Sequence, residues 1–543
     1  MRQNPLVTIR VLGSRGWLAG VVALATVLRV AHVLALRDSP WFDHLVVDPE
    51  YYDAWARQIA AGDWLGDRAF YMDPLYPYVL AGVYRVVGHD LLLARLLNVA
   101  FSAGTCLLVA RIGRQIGGRA VGGLAALGFA FYAPELFYVG EVDKTSLSLL
   151  LGAAALTLGL DRAPGARAAA GAAMAAAALT RANFLLFVPL GVLAMLLEPG
   201  TGRDRLRGAV VFAAGALVVL FPVAWRNHHV SGVWVLTTTQ AGQNFYTGNN
   251  PSNPYGAYGA VPFVRPNPHF EEIDFRSAAE AKTGRPMSPQ EVSAFWFREG
   301  FAHLASEPAF AARAFGRKLV LFWNDFEISD NQDQYLLERF SWALRLPLLD
   351  FGMVAPLALL GAVSGFRRHR RVRLLVGFVV VYWTSLVVFF LFSRYRLPVV
   401  LALLPLAALG VSEAVTRLRA RRGLVPAAAL VAGAAVVCHL HIGIFQRDHP
   451  LAVEMRLRHL AATQREVGEI DAAVASLAEA VAQCPPGCPW ALHDLFETYR
   501  TSGRATAGAA WFERFVRTHP QQQDAPGYLA ELRAAASVGS TGR

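Results

Sequence analysis

Charged side chains are scarce in this chain. Only 17% of its 543 residues are Asp, Glu, Lys or Arg, whereas 55% are hydrophobic. Soluble globular domains carry about 25% charged residues, so this composition argues against an ordinary soluble enzyme. The sequence also lacks a Walker phosphate-binding loop, a Rossmann glycine fingerprint and an HExxH zinc motif. Nucleotide-driven and zinc-protease functions therefore have no support in the sequence.

Long apolar runs, by contrast, are abundant. Runs of roughly 17 to 25 apolar residues are long enough to cross a bilayer as helices. We expect an all-α polytopic membrane protein with about eleven transmembrane helices, and residues 74–88 predict a further apolar helix that either spans or re-enters the bilayer. The eleven runs are residues 17–36, 90–110, 120–137, 145–160, 165–179, 183–197, 208–225, 345–364, 373–392, 397–416 and 423–444.

The net charge of +11 is distributed as membrane topology requires, and no nucleic-acid partner is expected. Clusters of Arg fall in alternate connections between the apolar runs, and cytoplasmic loops are the ones that collect Lys and Arg. If the chain starts inside, eleven crossings place every cluster in the cytoplasm. The other connections then share the extracytoplasmic side, namely residues 37–89, 138–144, 180–182, 226–344, 393–396 and everything after about 445.

The same pattern predicts four parts of the chain. They are an N-terminal transmembrane module (1–225) with a first outer loop at 37–89, a large outer loop or cap (226–344), C-terminal transmembrane helices (345–444) and an extracytoplasmic helical domain (445–543). In the last part, Gly468 and Pro485 match Gly503 and Pro520 at a spacing of 35 positions. This repeat resembles tetratricopeptide repeats, which bind peptides or rest on a partner. A helical cap on the outer loops is the alternative.

Cysteine is rare, with four residues in the whole chain. Cys106 and Cys438 lie in apolar runs, where we expect them to pack. Cys484 and Cys488 fall in the motif C-P-P-G-C on the predicted outer side, where a disulfide can persist. A zinc pair is less well supported because no second pair of ligands accompanies them. We therefore predict a disulfide between Cys484 and Cys488.

Acidic and aromatic residues follow directly after the first apolar run. Asp48, Glu50, Tyr51 and Tyr52 all lie in the stretch 46–64. The sequence Asp-Pro-Glu suits a helix start, with Asp48 as the N-cap and proline at the first helical position. Such an amphipathic helix would lie along the headgroup layer. This structural interpretation does not explain why the other predicted outer loops also carry charged side chains.

Three further outer connections carry charged side chains. They contribute Glu141, Asp143 and Lys144, then Arg181, and then Arg394, Tyr395 and Arg396. A single Arg at such a position can simply extend its side chain to water. Carboxylates and arginines that converge on one membrane face from four connections are better explained by a site that binds an anionic headgroup and needs a base.

Several motifs together resemble glycosyltransferase family 39. They are D48-P-E-Y-Y-D-A-W-A, G62-D-W, P74-L-Y-P-Y, the cytoplasmic R-I-G-R-Q-I-G-G, and the later T239-Q-A-G-Q-N-F-Y-T-G-N-N-P, F322-W-N-D-F-E-I-S-D-N and S393-R-Y-R-L-P. The family has the GT-C membrane fold and transfers a sugar from a polyprenyl-phosphate carrier on the extracytoplasmic side. The resemblance covers roughly residues 15–410 and is closest to a bacterial branch, which implies a multi-pass protein of the bacterial cytoplasmic (inner) membrane.

The resemblance implies roles for individual residues. The family's first acidic residue falls on Asp48, the expected catalytic base, and Glu50 is the candidate for its second acid because Pro49 intervenes. The acid of the next outer loop falls on Glu141 or Asp143. Arg394 and Arg396, with Arg181, are expected to neutralise the lipid phosphate. Tyr51, Tyr52, Lys144 and Tyr395 are expected to line the donor or acceptor pocket.

The loop 226–344 is expected to fold into a cap. Its Gly- and Asn-rich stretch favours tight turns, and the amides of Asn249 and Asn250 are candidates for binding sugar hydroxyls. No cofactor is expected. The acidic residues Asp325, Glu327, Asp330 and Asp333 could bind a divalent cation, although they lack EF-hand spacing.

The expected function is transfer of a sugar from a polyprenyl-phosphate donor to an extracytoplasmic protein, lipid or glycan acceptor, with inversion at the anomeric carbon. The alternatives are a transporter or flippase of lipid-linked glycans, a glycan ligase or polymerase, and a non-catalytic scaffold built on the repeats. Transporters usually place ionisable residues near the bilayer midplane. Here the densest charge lies in the outer loops.

Overall fold

In the computed structural model, which describes residues 13–161, 163–483 and 489–540, the protein is all-α, as predicted. Only isolated bridges interrupt the helical and irregular structure of this part of the chain. The predicted disulfide between Cys484 and Cys488 lies outside the described residues. The N-terminal half contains α1 (Arg15–Ala35), α2 (Val47–Ala61), α3 (Leu75–Val87), α4 (Leu91–Ala130), α5 (Ala133–Val139), α6 (Thr145–Gly159), α7 (Pro164–Ala178), α8 (Phe187–Leu196) and α9 (Gly202–Ser231).

The long loop between the two sets of apolar helices folds into short helices. They are α10 (Ala241–Asn249), α11 (Pro268–Thr283), α12 (Pro289–Ser306), α13 (Pro308–Trp323) and α14 (Gln334–Leu337). Helix α12 begins with a capping box between Ser288 and Glu291, and Trp296 is fully buried in the apolar core of this region. The C-terminal apolar helices follow as α15 (Phe351–Phe366), α16 (Arg370–Val388), α17 (Ser393–Ala420) and α18 (Leu424–Cys438).

Five helices in the described part of the chain are long and apolar enough to cross a membrane: Arg15–Asp38, Leu91–Ala130, Gly202–Ser231, Arg370–Val388 and Ser393–Ala420. Two predicted runs, 90–110 and 120–137, lie largely within α4, which is interrupted at Gly118 by a non-helical backbone conformation. Further apolar helices are shorter, including the one predicted at 74–88. The total of eleven spans and their orientation stay predictions.

Helix α17 is the most deeply buried of these helices and packs against α4, α15 and α16. Its contact with α15 depends on two glycines. A Cβ on Gly361 would lie 1.9 Å from the carbonyl oxygen of Leu406, and one on Gly410 would lie 2.1 Å from that of Leu357. Small residues let membrane helices approach this closely. Around Leu406 and Gly410, the position of α17 is therefore set by backbone packing on α15.

The chain divides into two compact units. One holds the described residues of Met1–Leu36, Leu45–Gln334 and Ser341–Leu440, and the other holds Arg37–His44, Tyr335–Phe340 and the described residues of His441–Arg543. The second unit thus begins near the predicted boundary at 445 and also takes in two short segments from predicted outer loops. In it, Trp41 donates a hydrogen bond to Thr463 Oγ1 at 2.9 Å and stacks on His459.

The second unit is a series of helices: α19 (Pro450–Glu466), α20 (Ile470–Gln483), α21 (Pro489–Thr501), α22 (Ala505–Thr518) and α23 (Ala525–Ser540). Consecutive helices pack on one another around a shared apolar core. The matched glycines Gly468 and Gly503 both have positive φ, +86° and +71°, at the turns within successive helix pairs. The spacing of these turns follows the 35-residue repeat, and the tetratricopeptide assignment stays a prediction.

Candidate active site

The first acidic residue of the site is not a helix cap. Helix α2 begins at Val47, its N-cap is Val46, and no side chain caps its first turn. The expectation that Asp48 is the N-cap is therefore wrong. Val47 adopts the left-handed conformation, with φ of +55°. The carboxylate of Asp48 is turned towards α17 and is free of the helix backbone.

Arg394, in the first turn of α17, is the hub of the site. Its guanidinium is buried and donates to Asp48 Oδ2 at 2.5 Å. It also pairs with Asp143 at 3.5 Å and with Asp330. A cation at a helix N-terminus opposes the helix dipole, so the three carboxylates supply the compensation that this position needs. Four segments distant in sequence thereby meet at one side chain.

The two acids of the second predicted outer loop differ in their surroundings. Asp143 accepts from the backbone N–H of Thr145 at 2.8 Å and from its hydroxyl at 2.7 Å, so its oxygens are committed to the start of α6. Glu141 is buried, and its Oε2 has no hydrogen-bond partner among the described residues. Burial, with Asp143 nearby, raises the pKa of Glu141 to about 8. Glu141 therefore carries a proton at neutral pH, whereas Asp143 is an anchored acceptor.

Tyr395 lies between two guanidinium groups. The ring centroid is 4.7 Å from Arg181 Cζ and 5.3 Å from Arg394 Cζ. Arg181 is itself only 3% exposed, and its Nε and Nη2 make no hydrogen bond in the described part of the chain. Unpaired buried guanidinium donors are costly unless a ligand takes them. Arg181 therefore has the free donors of an anion-binding residue.

Arg181 faces a cavity of about 1120 Å³ together with Lys144 and Asp73. The Lys144 ammonium pairs with the Asp73 carboxylate and lies 5.6 Å from the centre of the Tyr52 ring. The rest of the cavity is mostly apolar and is lined by residues from the α8, α9 and α16 regions, among them Leu186, Val188, Leu217, Leu220, Val380 and Val388. The result is an apolar groove with a charged head, the shape and chemistry that suit an anionic amphiphile.

Other predicted site residues are not brought into this cluster. Glu50 is partly exposed and pairs with His269 at 2.7 Å, and Tyr51 packs against the same histidine. Arg396 pairs with Glu327 at 2.7 Å and donates to the backbone carbonyl of Phe322 at 2.9 Å. These bonds tie down the segment that follows α13. Arg396 is therefore committed to structure and is not placed for a phosphate.

Asn249 and Asn250 are also engaged with the protein itself. The Asn249 amide donates to the carbonyls of Phe245 and Val388, and its oxygen accepts from Lys318 at 2.8 Å. The Asn250 amide donates to the carbonyl of Thr247 at 2.9 Å, and its oxygen accepts from the backbone of Ser252. Both amides hold the end of α10 in place, and neither is free for a sugar hydroxyl.

The structure adds two acids to the cluster that the sequence did not assign to it. Asp330 contacts Arg394, and burial raises the pKa of Asp330 to about 7. Glu271 of α11 hydrogen-bonds Tyr258, and burial together with the charges of Asp48 and Asp330 raises its pKa to about 8. The motif F-W-N-D-F-E-I-S-D-N contained Asp330, but nothing local to the sequence singled out Glu271.

The acidic residues considered for a divalent cation are dispersed. Asp325 lies 3.6 Å from His439, Glu327 pairs with Arg396, Asp330 pairs with Arg394, and Asp333 accepts from Ser329. Across the described ranges, no three His, Cys, Asp or Glu side chains are grouped so that they could hold a metal ion. The charges of the site are instead balanced by arginine and lysine.

Comparison with protein-family models found no match, and comparison with curated proteins found none either. Among solved structures, the archaeal oligosaccharyltransferase AglB from Archaeoglobus fulgidus, in complex with an inhibitory peptide and a dolichol-phosphate, is 13% identical with a TM-score of 0.42. The match covers 81% of this chain and 58% of that one, so this chain spans less than two thirds of the archaeal protein.

ArnT from Cupriavidus metallidurans bound to undecaprenyl phosphate is 17% identical with a TM-score of 0.43, and the match covers 97% of this chain and 88% of that one. The apo state of ArnT gives 17% identity and a TM-score of 0.32 over 73% and 78% of the two chains. Because these TM-scores are below 0.5, the function is inferred from the geometry of the site itself.

Proposed function

We propose that the protein is an integral membrane glycosyltransferase that moves a sugar from a polyprenyl-phosphate donor to a hydroxyl acceptor on the extracytoplasmic side. One observation carries this proposal: the apolar groove ends at the unpaired guanidinium of Arg181, beside the carboxylates gathered around Arg394. An isoprenoid chain fits the groove, and its phosphate fits the free donors of Arg181. The sequence resemblance to glycosyltransferase family 39 is consistent with the same chemistry.

Asp48 is the proposed base. Its Oδ2 accepts from Arg394, which fixes the carboxylate, and its Oδ1 makes no hydrogen bond with the described residues. Asp143 is bonded on both oxygens, and Glu141 holds a proton near neutral pH. Among Asp48, Asp143 and Glu141, Asp48 thus has the carboxylate oxygen best suited to accept a proton.

The proposed transfer is a single displacement at the anomeric carbon of the donor sugar. The acceptor oxygen attacks the anomeric carbon while its proton moves to Asp48 Oδ1. The bond from that carbon to the phosphate oxygen breaks, and its electron pair stays on the phosphate. Arg181, with Lys144, stabilises the growing charge on the leaving group. Because attack and departure occur on opposite faces of the carbon, the anomeric configuration inverts.

Arg394 takes a different role from the one that the sequence suggested. Its guanidinium is hydrogen-bonded to Asp48 and forms ion pairs with Asp143 and Asp330, so its charge is already compensated and it orients the base instead of meeting the lipid phosphate. The helix α11 side chains Glu271 and His269 lie over the start of α2 and are the natural candidates for contact with donor sugar or acceptor. The repeats of the second unit are proposed to bind a protein acceptor.

The test uses the purified full-length protein in detergent with synthetic polyprenyl-phosphate sugars and a membrane extract as the acceptor source. We expect release of polyprenyl phosphate that depends on both donor and extract. Release should be lost in Arg181→Gln and kept in Arg68→Gln, an arginine outside the groove. A flippase would bind the donor without releasing lipid phosphate, and this result would overturn the proposal.

A further inference from the structure

The head of the groove contains a carboxylate as well as two cations. Asp73, Lys144 and Arg181 all line it, and their exposed fractions are 3%, 5% and 3%. A carboxylate repels a phosphate, so its presence in a lipid-phosphate site needs a reason. The Asp73 carboxylate pairs with the Lys144 ammonium, and its Oδ1 is buried without a hydrogen-bond partner in the described part of the chain.

The formal charges of these three side chains sum to one positive charge. A polyprenyl-phosphate sugar is a phosphodiester and carries one negative charge. The product, a polyprenyl phosphate, is a monoester and carries close to two negative charges above its second pKa of about 6. The head of the groove therefore neutralises the donor and leaves the product with excess negative charge.

We propose that Asp73 is a specificity-determining residue that makes the groove discriminate between donor and product by charge. This inference rests on the proposed lipid-phosphate function of the groove. Asp73 restrains Lys144 and keeps the head at a single positive charge. The singly charged donor binds without repulsion, and the doubly charged product is repelled by the Asp73 carboxylate and leaves.

Burial makes this discrimination effective. In a site screened from water, the interaction of one extra charge at contact range is several times larger than in bulk solvent. The other acids of the site do not serve the same purpose, because Asp48, Asp143 and Asp330 surround Arg394 and do not line the groove. Asp73 is thus the acid whose removal changes the charge that the phosphate meets.

The test measures the binding of two short probes to the full-length protein in detergent at pH 8. One is citronellyl phosphate, a monoester, and the other is its methyl ester, a singly charged diester. We expect Asp73→Asn to tighten binding of the monoester about tenfold more than that of the diester. Asp73→Glu keeps the charge and should keep the wild-type preference. Glu198→Gln, which removes a paired carboxylate outside the groove, is the matched control.

Different results would contradict lipid-phosphate binding by the groove and charge discrimination by Asp73. If neither probe binds the wild-type protein, the lipid-phosphate function of the groove is wrong. If both bind, and Asp73→Asn changes their affinities equally or not at all, the groove binds lipid phosphate but Asp73 does not discriminate. At pH 5 the monoester carries one negative charge instead of two, so its binding to the wild-type protein should be tighter than at pH 8. The same change of pH should tighten its binding to Asp73→Asn much less. Thermal unfolding of each variant checks that it is folded.

Discussion

Two buried arginines near the proposed site have opposite surroundings. Arg181 has free N–H groups that face the groove, whereas Arg396 is held by Glu327 and by backbone carbonyls. The sequence predicts the same role for both arginines, because each lies in a short connection beside an apolar run. Only the three-dimensional contacts distinguish an arginine with free donors from one that is held by the protein.

We expect Arg181→Gln to weaken binding of citronellyl phosphate by about tenfold or more, because a charge-assisted contact with phosphate is lost. The thermal stability of this variant should change little, because Nε and Nη2 of Arg181 donate no hydrogen bond to the described residues. Arg396→Gln should instead destabilise the protein by about 3–5 kcal/mol, because the buried Glu327 carboxylate then loses its ion pair with Arg396. Probe binding and thermal unfolding of both variants check this contrast. Equal losses of binding at matched stability would contradict the assignment.

The raised pKa of Glu141 predicts that the stability of the folded protein depends on pH. Burial raises its pKa from 4.5 to about 8, so the folded protein binds this proton more tightly than the unfolded chain. The stabilisation is complete below the unfolded pKa and is lost as the pH rises towards 8, at up to about 1.4 kcal/mol per pH unit. Relative to Glu141→Gln, the wild type should lose stability between pH 5 and pH 8. A Tm difference that does not vary with pH would show that Glu141 is not buried as a neutral acid.

Among the helices, α17 presents Arg394 to its three carboxylates from its first turn and packs closely on α15 further along its length. The backbones of the two helices approach at Gly361 and Gly410. A side chain at either position would push α17 away from its place. We therefore expect the position of Arg394 to depend on this contact, although the contact lies more than ten residues further along α17.

We predict that Gly361→Ala costs about 1–3 kcal/mol of stability, because its Cβ would clash with the carbonyl of Leu406. The shift of α17 should also reduce transfer activity. Gly377→Ala in α16 is the matched control, since a Cβ there meets nothing within 4 Å. The measurements are thermal unfolding and lipid phosphate release. If both alanine variants behave like the wild type, α17 is not positioned by this contact.

The helical structure and most helix positions could be predicted from the sequence, because apolar runs and turn residues are local signals. The helix start at Val47, however, placed Asp48 away from the capping position, because the carboxylate pairs with Arg394 instead. That partner is 346 positions away in the chain, and Glu271 reaches the site from a separate helix. Local patterns identified the acids and arginines; which of them pair is decided by tertiary packing.

At the scale of the whole molecule, the orientation in the membrane is a prediction from the arginine-rich connections. We expect Ser502→Cys to react with a membrane-impermeant maleimide in intact cells and Arg368→Cys to react only after lysis, because cytoplasmic loops collect the arginines. Both changes are made in a background with Cys484 and Cys488 replaced by Ser. Labelling of Arg368→Cys in intact cells would show that the topology is the reverse of the predicted one and that the proposed site lies on the opposite face.

Asp48 is proposed to act as the base of a sugar transfer from a lipid phosphate. The most direct test compares wild type with Asp48→Asn for donor binding and for release of polyprenyl phosphate in the presence of acceptor extract. We predict that Asp48→Asn stays folded and binds the donor, yet releases lipid phosphate at least about a hundredfold more slowly, since general base catalysis typically contributes that much. Equal release by the two proteins would show that Asp48 does not act as the base.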